Sequence, residues 1–296
     1  MAQENRSWQW FANIIYIILT VACLAPFVLL LASSLTDETE ILKNGYSFFP
    51  KVFSTAAYEY LFSGGGSGIF RAYGITIFVT VFGTAAGLFI TALLAYPMSR
   101  SDYPASKPLA FVVFFTLLFN GGLVPTYLVY TQLFDVKNTV WGLIVPGLLM
   151  NGFNVMLMQT FFRTSIPMAI IESASIDGAG EFRIFRSIIL RLSTPVLATV
   201  GLFQTLVYWN DWMNGTIYIN DTKLYGIQNM LNRILSDAQY LASGSFASHA
   251  SALANTAPLE TVKMAIAVIG VVPIMVTYPF FQKYFVKGIA LGAVKG

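Results

Sequence analysis

Charge is what this 296-residue chain has least of: Asp, Glu, Lys and Arg make up only 10% of it, against 56% apolar residues. A soluble domain carries about a quarter charged residues, so this one could not cover a water-facing surface. A lipid-facing surface removes that need, and the mean hydropathy of +0.67 agrees. The net charge of +3 is too small to point to nucleic acid. There is one cysteine, Cys23, inside the first apolar run, so no intrachain disulfide can form. The one histidine, His249, lies in a polar stretch with no other ligand type beside it, which argues against a His-based metal site. No Gly-x-x-x-x-Gly-Lys-Ser/Thr loop occurs, so the chain does not hold ATP by that route. His-Glu-x-x-His, Gly-x-Gly-Asp and a Ser/His couple are missing too, which excludes the usual intramembrane proteases.

What the chain does have is long apolar runs. A helix of about 20 such residues crosses the hydrocarbon core. The runs are 13–34, 74–96, 108–131, 140–162, 194–219 and 262–285, which predicts an all-α protein with six transmembrane helices in a single membrane domain over 1–296. The first run exceeds a signal-peptide core and no small-residue cleavage site closes it, so it reads as a retained span. The third contains Asn120-Gly121-Gly122 and Pro125, which predicts a bend or local unwinding.

An even number of spans puts both termini on one side. That side carries Arg6, Arg100, Lys107, Arg163, Arg183, Arg186, Arg191, Lys283, Lys287 and Lys295. The other carries Lys43, Lys51, Arg71, Lys137, Lys223, Arg233 and Lys263. The positive-inside bias therefore places both termini in the cytoplasm. A cytoplasmic loop over about 163–193 follows, with outer loops over about 35–73 and 220–261. The first outer loop holds a flexible turn, Ser63 to Gly68. The second begins with Leu224, Ile227, Met230, Leu231, Ile234 and Leu235 at helical spacing, an amphipathic surface helix, and ends in the Ala/Ser-rich stretch 241–257, which reads as a mobile loop.

The cytoplasmic loop is the most specific feature. Pro167 suits the first turn of a helix and Gly178 suits its C-terminal cap, which predicts a short helix of about three turns. A second helical stretch, Glu181 to Leu192, leads back to the membrane. The pattern Glu172-x-Ala174-x-x-Asp177-Gly178-Ala179, followed by Phe185, Ile188 and Pro195, resembles the EAA loop of ABC-importer permeases. The resemblance extends over nearly the whole chain and is nearest to MalG-like carbohydrate permeases, the oligosaccharide and polysaccharide branch. It is carried also by Phe119 to Tyr127, by Tyr208 to Asn214, by Pro279 to Gly288 and by the closing Gly292 to Gly296. Two positions depart from the pattern: Ser173 stands for the usual second alanine, and Arg191 for the proline four residues before Pro195.

The resemblance implies a type I ABC importer permease fold in a bacterial inner membrane. It implies a second homologous permease, two ATPase subunits that bind ATP and Mg, and an extracytoplasmic sugar-binding protein, with no cofactor and no catalysis on this chain. Glu172, Ala174, Asp177, Gly178, Ala179 and Gly180 are then the coupling surface for the ATPase. The tail Gly292, Ala293, Val294, Lys295 and Gly296 would reach the same partner.

Sugars are bound by aromatic faces and by polar groups that replace water. Asn120, Asn151, Asn154, Tyr208, Trp209, Asn210, Trp212 and Asn214 supply both at membrane depth, which suits a hydrated path for a carbohydrate. Trp and Tyr also form interfacial belts, and Asn also pins helices together. A permease of this architecture for amino acids or phosphate is the nearest alternative. A self-contained secondary transporter would need intramembrane ionisable groups, and Asp211 is nearly the only one.

Overall fold

The computed structural model describes residues 6–64, 68–242 and 259–293. The Gly-rich turn lies partly outside them, and His249, most of the Ala/Ser-rich stretch, Val294, Lys295 and Gly296 lie wholly outside. The described chain is helical, with one isolated bridge between Thr36 and Phe53. In order the principal helices are α1 (Arg6–Ser34), α2 (Glu38–Asn44), α3 (Ile69–Ser99), α4 (Ser106–Leu118), α5 (Leu123–Leu128), α6 (Trp141–Ile144), α7 (Gly152–Ser165), α8 (Met168–Ile176), α9 (Glu181–Ile184), α10 (Thr194–Trp209), α11 (Met213–Tyr218), α12 (Ile227–Ala242) and α13 (Leu259–Ala293), with short helical turns at Ala56–Glu59 and Leu190–Leu192 besides. Wider π-type turns continue α5 over Val129–Leu133 and α9 over Phe185–Ile189.

Three helical stretches are long and apolar enough to span a bilayer: Trp8–Ser34, Ile69–Ser99 and Glu260–Thr277. Two further candidates are bent pairs, Ser106–Leu118 with Leu123–Leu133 at 117° and Glu181–Leu192 with Thr194–Trp209 at 80°. The first bend falls where the sequence places it. Gly122 takes φ +84°, and Asn120 Oδ1 accepts its N–H at 2.8 Å. The run 140–162 is not one helix, contrary to its hydropathy. It stops after Ile144 and restarts at Gly152, because Pro146 has no N–H to continue the ladder and Gly147 turns to φ +70°. The run 194–219 is interrupted likewise between Trp209 and Met213.

The chain divides into two compact units. One combines Met1–Ile69 with Leu231–Pro273. Here α1 exposes its apolar side chains along its whole length, which suits a bilayer and not water. A loop follows, closed at its base by Asp37 N–H to Val52 O at 3.0 Å and Ser54 N–H to Leu35 O at 2.9 Å. Asp37 caps α2, and the hydroxyl and amide of Thr39 hold its carboxyl below the ordinary value. Glu38 in turn caps α13 from a distance in sequence, accepting from Glu260 N–H at 2.8 Å, Thr261 N–H at 2.9 Å and Thr261 Oγ1 at 2.8 Å. First-turn N–H groups have no intrahelical partner, so Glu38→Ala is expected to cost about 1–2 kcal/mol. A lowered thermal midpoint, with faster amide exchange at Glu260 and Thr261, is the check.

The other unit, Phe70–Met230 with Ile274–Gly296, holds both the loop over 163–193 and the polar residues singled out in the spans. One core cluster gathers Tyr96, Val155, Met158, Phe162, Ile171, Ile184, Phe185, Ile189 and Val200. A second surrounds Tyr208, Tyr218, Ile144 and Val136. The amphipathic helix begins at Ile227, whose N–H donates to Thr76 Oγ1 at 2.8 Å, while Leu224 sits in a preceding 3-10 turn.

Candidate coupling loop and translocation core

The loop helix α8 runs nine residues, and Pro167 stands at its N-cap rather than in its first turn. At the other end Gly178 takes φ +81°. Gly178 N–H donates to Ser175 O at 3.0 Å, and Ala179 N–H to Ala174 O at 2.9 Å. These are the paired bonds of a Schellman stop, which needs a left-handed residue at Gly178. Gly180 is different: its φ is −69° and the space about it is open.

The helix packs by one stripe. Ile171 is buried, and Ala174 and Ala179 rest against the first cluster. The opposite face is open, with Glu172 and Asp177 exposed beside Ile176, which is 86% exposed. A nine-residue helix is too short to cross a bilayer, so this open isoleucine is apolar surface on a non-spanning helix. Phe182, just beyond, is 65% exposed. Gly292 and Ala293 fall in the last turn of α13.

Several polar residues of the membrane core are hydrogen-bonded within the chain. The break between α6 and α7 frees backbone carbonyls, which at membrane depth require partners. Tyr208 Oη donates to Ile144 O at 2.9 Å, Asn214 Nδ2 to Pro146 O at 2.9 Å, and Gln204 Nε2 to Leu148 O at 2.5 Å. Asn154 Nδ2 donates in turn to Gln204 Oε1 at 3.2 Å. All four side chains are buried. Asn154, Tyr208 and Asn214 are thus committed to holding the break. Trp209 is buried too, its ring 6.3 Å from that of Tyr73.

Asn120, Asn151, Asn210 and Trp212 remain exposed. Asn151 caps α7, accepting from Phe153 N–H at 2.9 Å, and Asn210 Nδ2 donates to Leu206 O at 2.8 Å. A cavity of about 530 Å³ lies between α3, α10 and α13, lined in part by Thr80, Thr84, Ala198, Gly201 and Thr205. None of the polar or aromatic residues singled out in the sequence lines it.

Two residues that sequence reading missed make this packing possible. A Cβ on Gly83 would stand 2.5 Å from the Tyr208 ring, and one on Gly87 2.6 Å from Gln204 Nε2 and 2.8 Å from Leu149 O. The readable signal was their four-residue spacing, since small residues at that step let helices approach closely in membranes.

Interrupted apolar helices whose freed backbone is satisfied internally, joined by a short capped helix, define a polytopic membrane protein. The chain belongs to the family described as binding-protein-dependent transport system inner membrane components, whose profile its residues 104–291 match. It is 36% identical over 300 residues to the polygalacturonan/rhamnogalacturonan transport system permease protein YtcP of Bacillus subtilis (strain 168), covering 99% of this chain and 100% of that one. It is 38% identical over 272 residues to protein LplC of the same organism, covering 92% and 89%. Among solved structures it resembles a chain of a bacterial ABC transporter involved in the import of the acidic polysaccharide alginate. The TM-score is 0.79 at 25% identity, over 96% of this chain and 99% of that one.

Proposed function

We propose that this chain is a permease subunit of an ATP-driven, binding-protein-dependent importer that carries an oligosaccharide into the cytoplasm by alternating access. The whole chain acts as one transmembrane domain of six spans, counting the interrupted ones, with both termini in the cytoplasm of a bacterial cell. It pairs with a second permease of the same family. ATP and Mg are held by two ATPase subunits, so this chain performs no catalysis. An extracytoplasmic binding protein delivers the sugar to the outer loops. Relatives named for polygalacturonan/rhamnogalacturonan and for arabinooligosaccharide transport support the substrate class.

One observation carries the reading: the Schellman-capped helix α8, anchored by Ile171 and open at Glu172 and Ile176. A rigid helix with an apolar tip outside the bilayer is what an ATPase cleft can grip and move. Asn120, Asn151, Asn210 and Trp212 are the exposed polar and aromatic groups left to meet the sugar. The tail from Gly292 to Gly296 adds a second contact with the ATPase pair.

The test is to purify the tagged chain in mild detergent and assay ATP hydrolysis with binding protein and a panel of oligogalacturonides, arabino-oligosaccharides and alginate fragments. A second permease and an ATPase are expected to copurify, with hydrolysis stimulated by one glycan class. Ile176→Asp is expected to reduce the copurified ATPase about 10-fold or more, as loss of a buried anchor does, while membrane insertion is kept. A chain that purifies alone from intact membranes and ignores ATP would rule the proposal out in favour of a self-contained transporter.

A further inference from the structure

We propose that Tyr96, Arg100 and Glu181 form a clasp through which movement of α8 reaches α3, which makes them positioning residues for coupling; this rests on reading α8 as the ATPase-docking helix. Tyr96 Oη donates to Glu181 Oε2 at 2.6 Å. Arg100 Nη1 donates to Tyr96 Oη at 3.0 Å and lies 3.5 Å from the same Glu181 oxygen. The other edge of the guanidinium grips Asp102 with two bonds, Nε to Oδ1 at 2.8 Å and Nη2 to Oδ2 at 2.6 Å. Although it sits at a helix end, the Arg100 side chain is only 11% exposed. Its charge is matched by the two carboxylates rather than by water, and the guanidinium holds the Asp102 carboxyl below its ordinary value.

The placement gives the clasp its role. Glu181 opens α9, three residues after the left-handed turn at Gly178, so it lies on the limb that leaves the loop helix. Phe185, one turn on, is buried with its ring 5.5 Å from that of Tyr96. The limb that enters the loop is tied to the same place, since Gln159 Nε2 donates to Met98 O at 3.2 Å. Both limbs therefore hang on the last turns of α3. Farther along, α3 carries Gly83 and Gly87, packed against the Tyr208 and Gln204 that hold the break before α7. A push on α8 thus has a continuous, hydrogen-bonded and close-packed route to the interrupted span. An exposed ion pair alone would be too weak to serve. The Glu181 side chain is itself 65% exposed, but the clasp differs in that one of its oxygens meets both a buried phenol and a shielded guanidinium.

The experiment uses the full transporter, this chain with its copurified partners, in proteoliposomes, with glycan uptake and ATP hydrolysis measured on the same vesicles. Tyr96→Phe keeps the ring packed on Phe185 and removes only the hydroxyl. Glu181→Ala removes the acceptor. Each is expected to lower glycan moved per ATP hydrolysed by about 3- to 10-fold, with the amount of bound ATPase unchanged. The double variant is expected to fall by less than the product of the two singles, because both delete the Tyr96–Glu181 bond while each takes a different contact from Arg100. Glu181→Gln, which still accepts from Tyr96, should recover part of the ratio. An unchanged ratio in both singles, or losses that multiply in the double, would overturn the clasp. Wild-type hydrolysis with no dependence on any glycan would overturn the importer reading itself, and the clasp with it.

Discussion

Gly178→Pro is expected to reduce uptake about 10-fold or more while leaving the chain in the membrane, because it removes the stop of the loop helix and touches no apolar span. Gly178 has φ +81°, and proline fixes φ near about −65°. Proline also deletes the N–H that Gly178 gives to Ser175 O. The chain after α8 must then leave in another direction, carrying Glu181 away from Tyr96. Milder substitutions at the same position should grade in order. Asn tolerates the left-handed region and should cost least. Ala meets no neighbour within 4 Å there, so its penalty is backbone strain alone, about 1–2 kcal/mol. Gly180→Ala is the internal control: with φ −69° and open space around it, uptake should stay at the wild-type level. Uptake into vesicles and ATP hydrolysis by the assembled complex separate the two effects, since an uncoupled transporter keeps hydrolysing ATP. Equal uptake by Gly178→Pro and Gly180→Ala would remove the lever from the mechanism.

That pair of glycines shows what the sequence could reveal. The stop at Gly178 was legible because it depends on local chemistry: a helix-length segment, a proline before it and a glycine after it. The bend after Phe119 was legible for the same reason, as two adjacent glycines followed by a proline leave few alternatives. The break after Ile144 carries an equally local mark in Pro146-Gly147, yet the continuous hydropathy of 140–162 hid it. Hydropathy reports where a segment resides, not whether its hydrogen bonds run along the helix or across to another. The roles of Asn154, Tyr208 and Asn214 were illegible for a deeper reason. Tyr208 and Asn214 donate to main-chain carbonyls more than 60 residues away in sequence, Ile144 O and Pro146 O, and Asn154 reaches the break only through Gln204, 50 residues away. A carbonyl has no residue type, so nothing in the sequence advertises it. The clasp was hidden likewise, because Tyr96 and Glu181 are 85 residues apart and each alone reads as an ordinary helix-end residue.

The close approach of α3 to α10 should be the part of the molecule least tolerant of added volume. Gly83→Val and Gly87→Val are each expected to destabilise by about 3 kcal/mol, seen as a lower thermal midpoint in detergent and less assembled complex. Alanine at the two sites should separate their mechanisms. At Gly83 the obstacle is a side chain, three atoms of the Tyr208 ring between 2.5 and 2.8 Å away. Shortening that ring in Gly83→Ala/Tyr208→Leu should therefore restore much of the packing, at the expense of the bond to Ile144 O. At Gly87 the obstacle is partly backbone, Leu149 O at 2.8 Å as well as Gln204 Nε2 at 2.6 Å. Gly87→Ala/Gln204→Ala removes only the side-chain half. It also strands Leu148 O and Asn154, each an unsatisfied polar group that costs about 1 kcal/mol or more at membrane depth. The second double variant should accordingly be no more stable than Gly87→Ala alone. Rescue at both sites would mean that the segment between α6 and α7 yields easily, and that the bonds from Gln204, Tyr208 and Asn214 do not hold it in place. Rescue at Gly83 only would mark that segment as a rigid element of the membrane core, one that moves with α3 and α10 rather than against them.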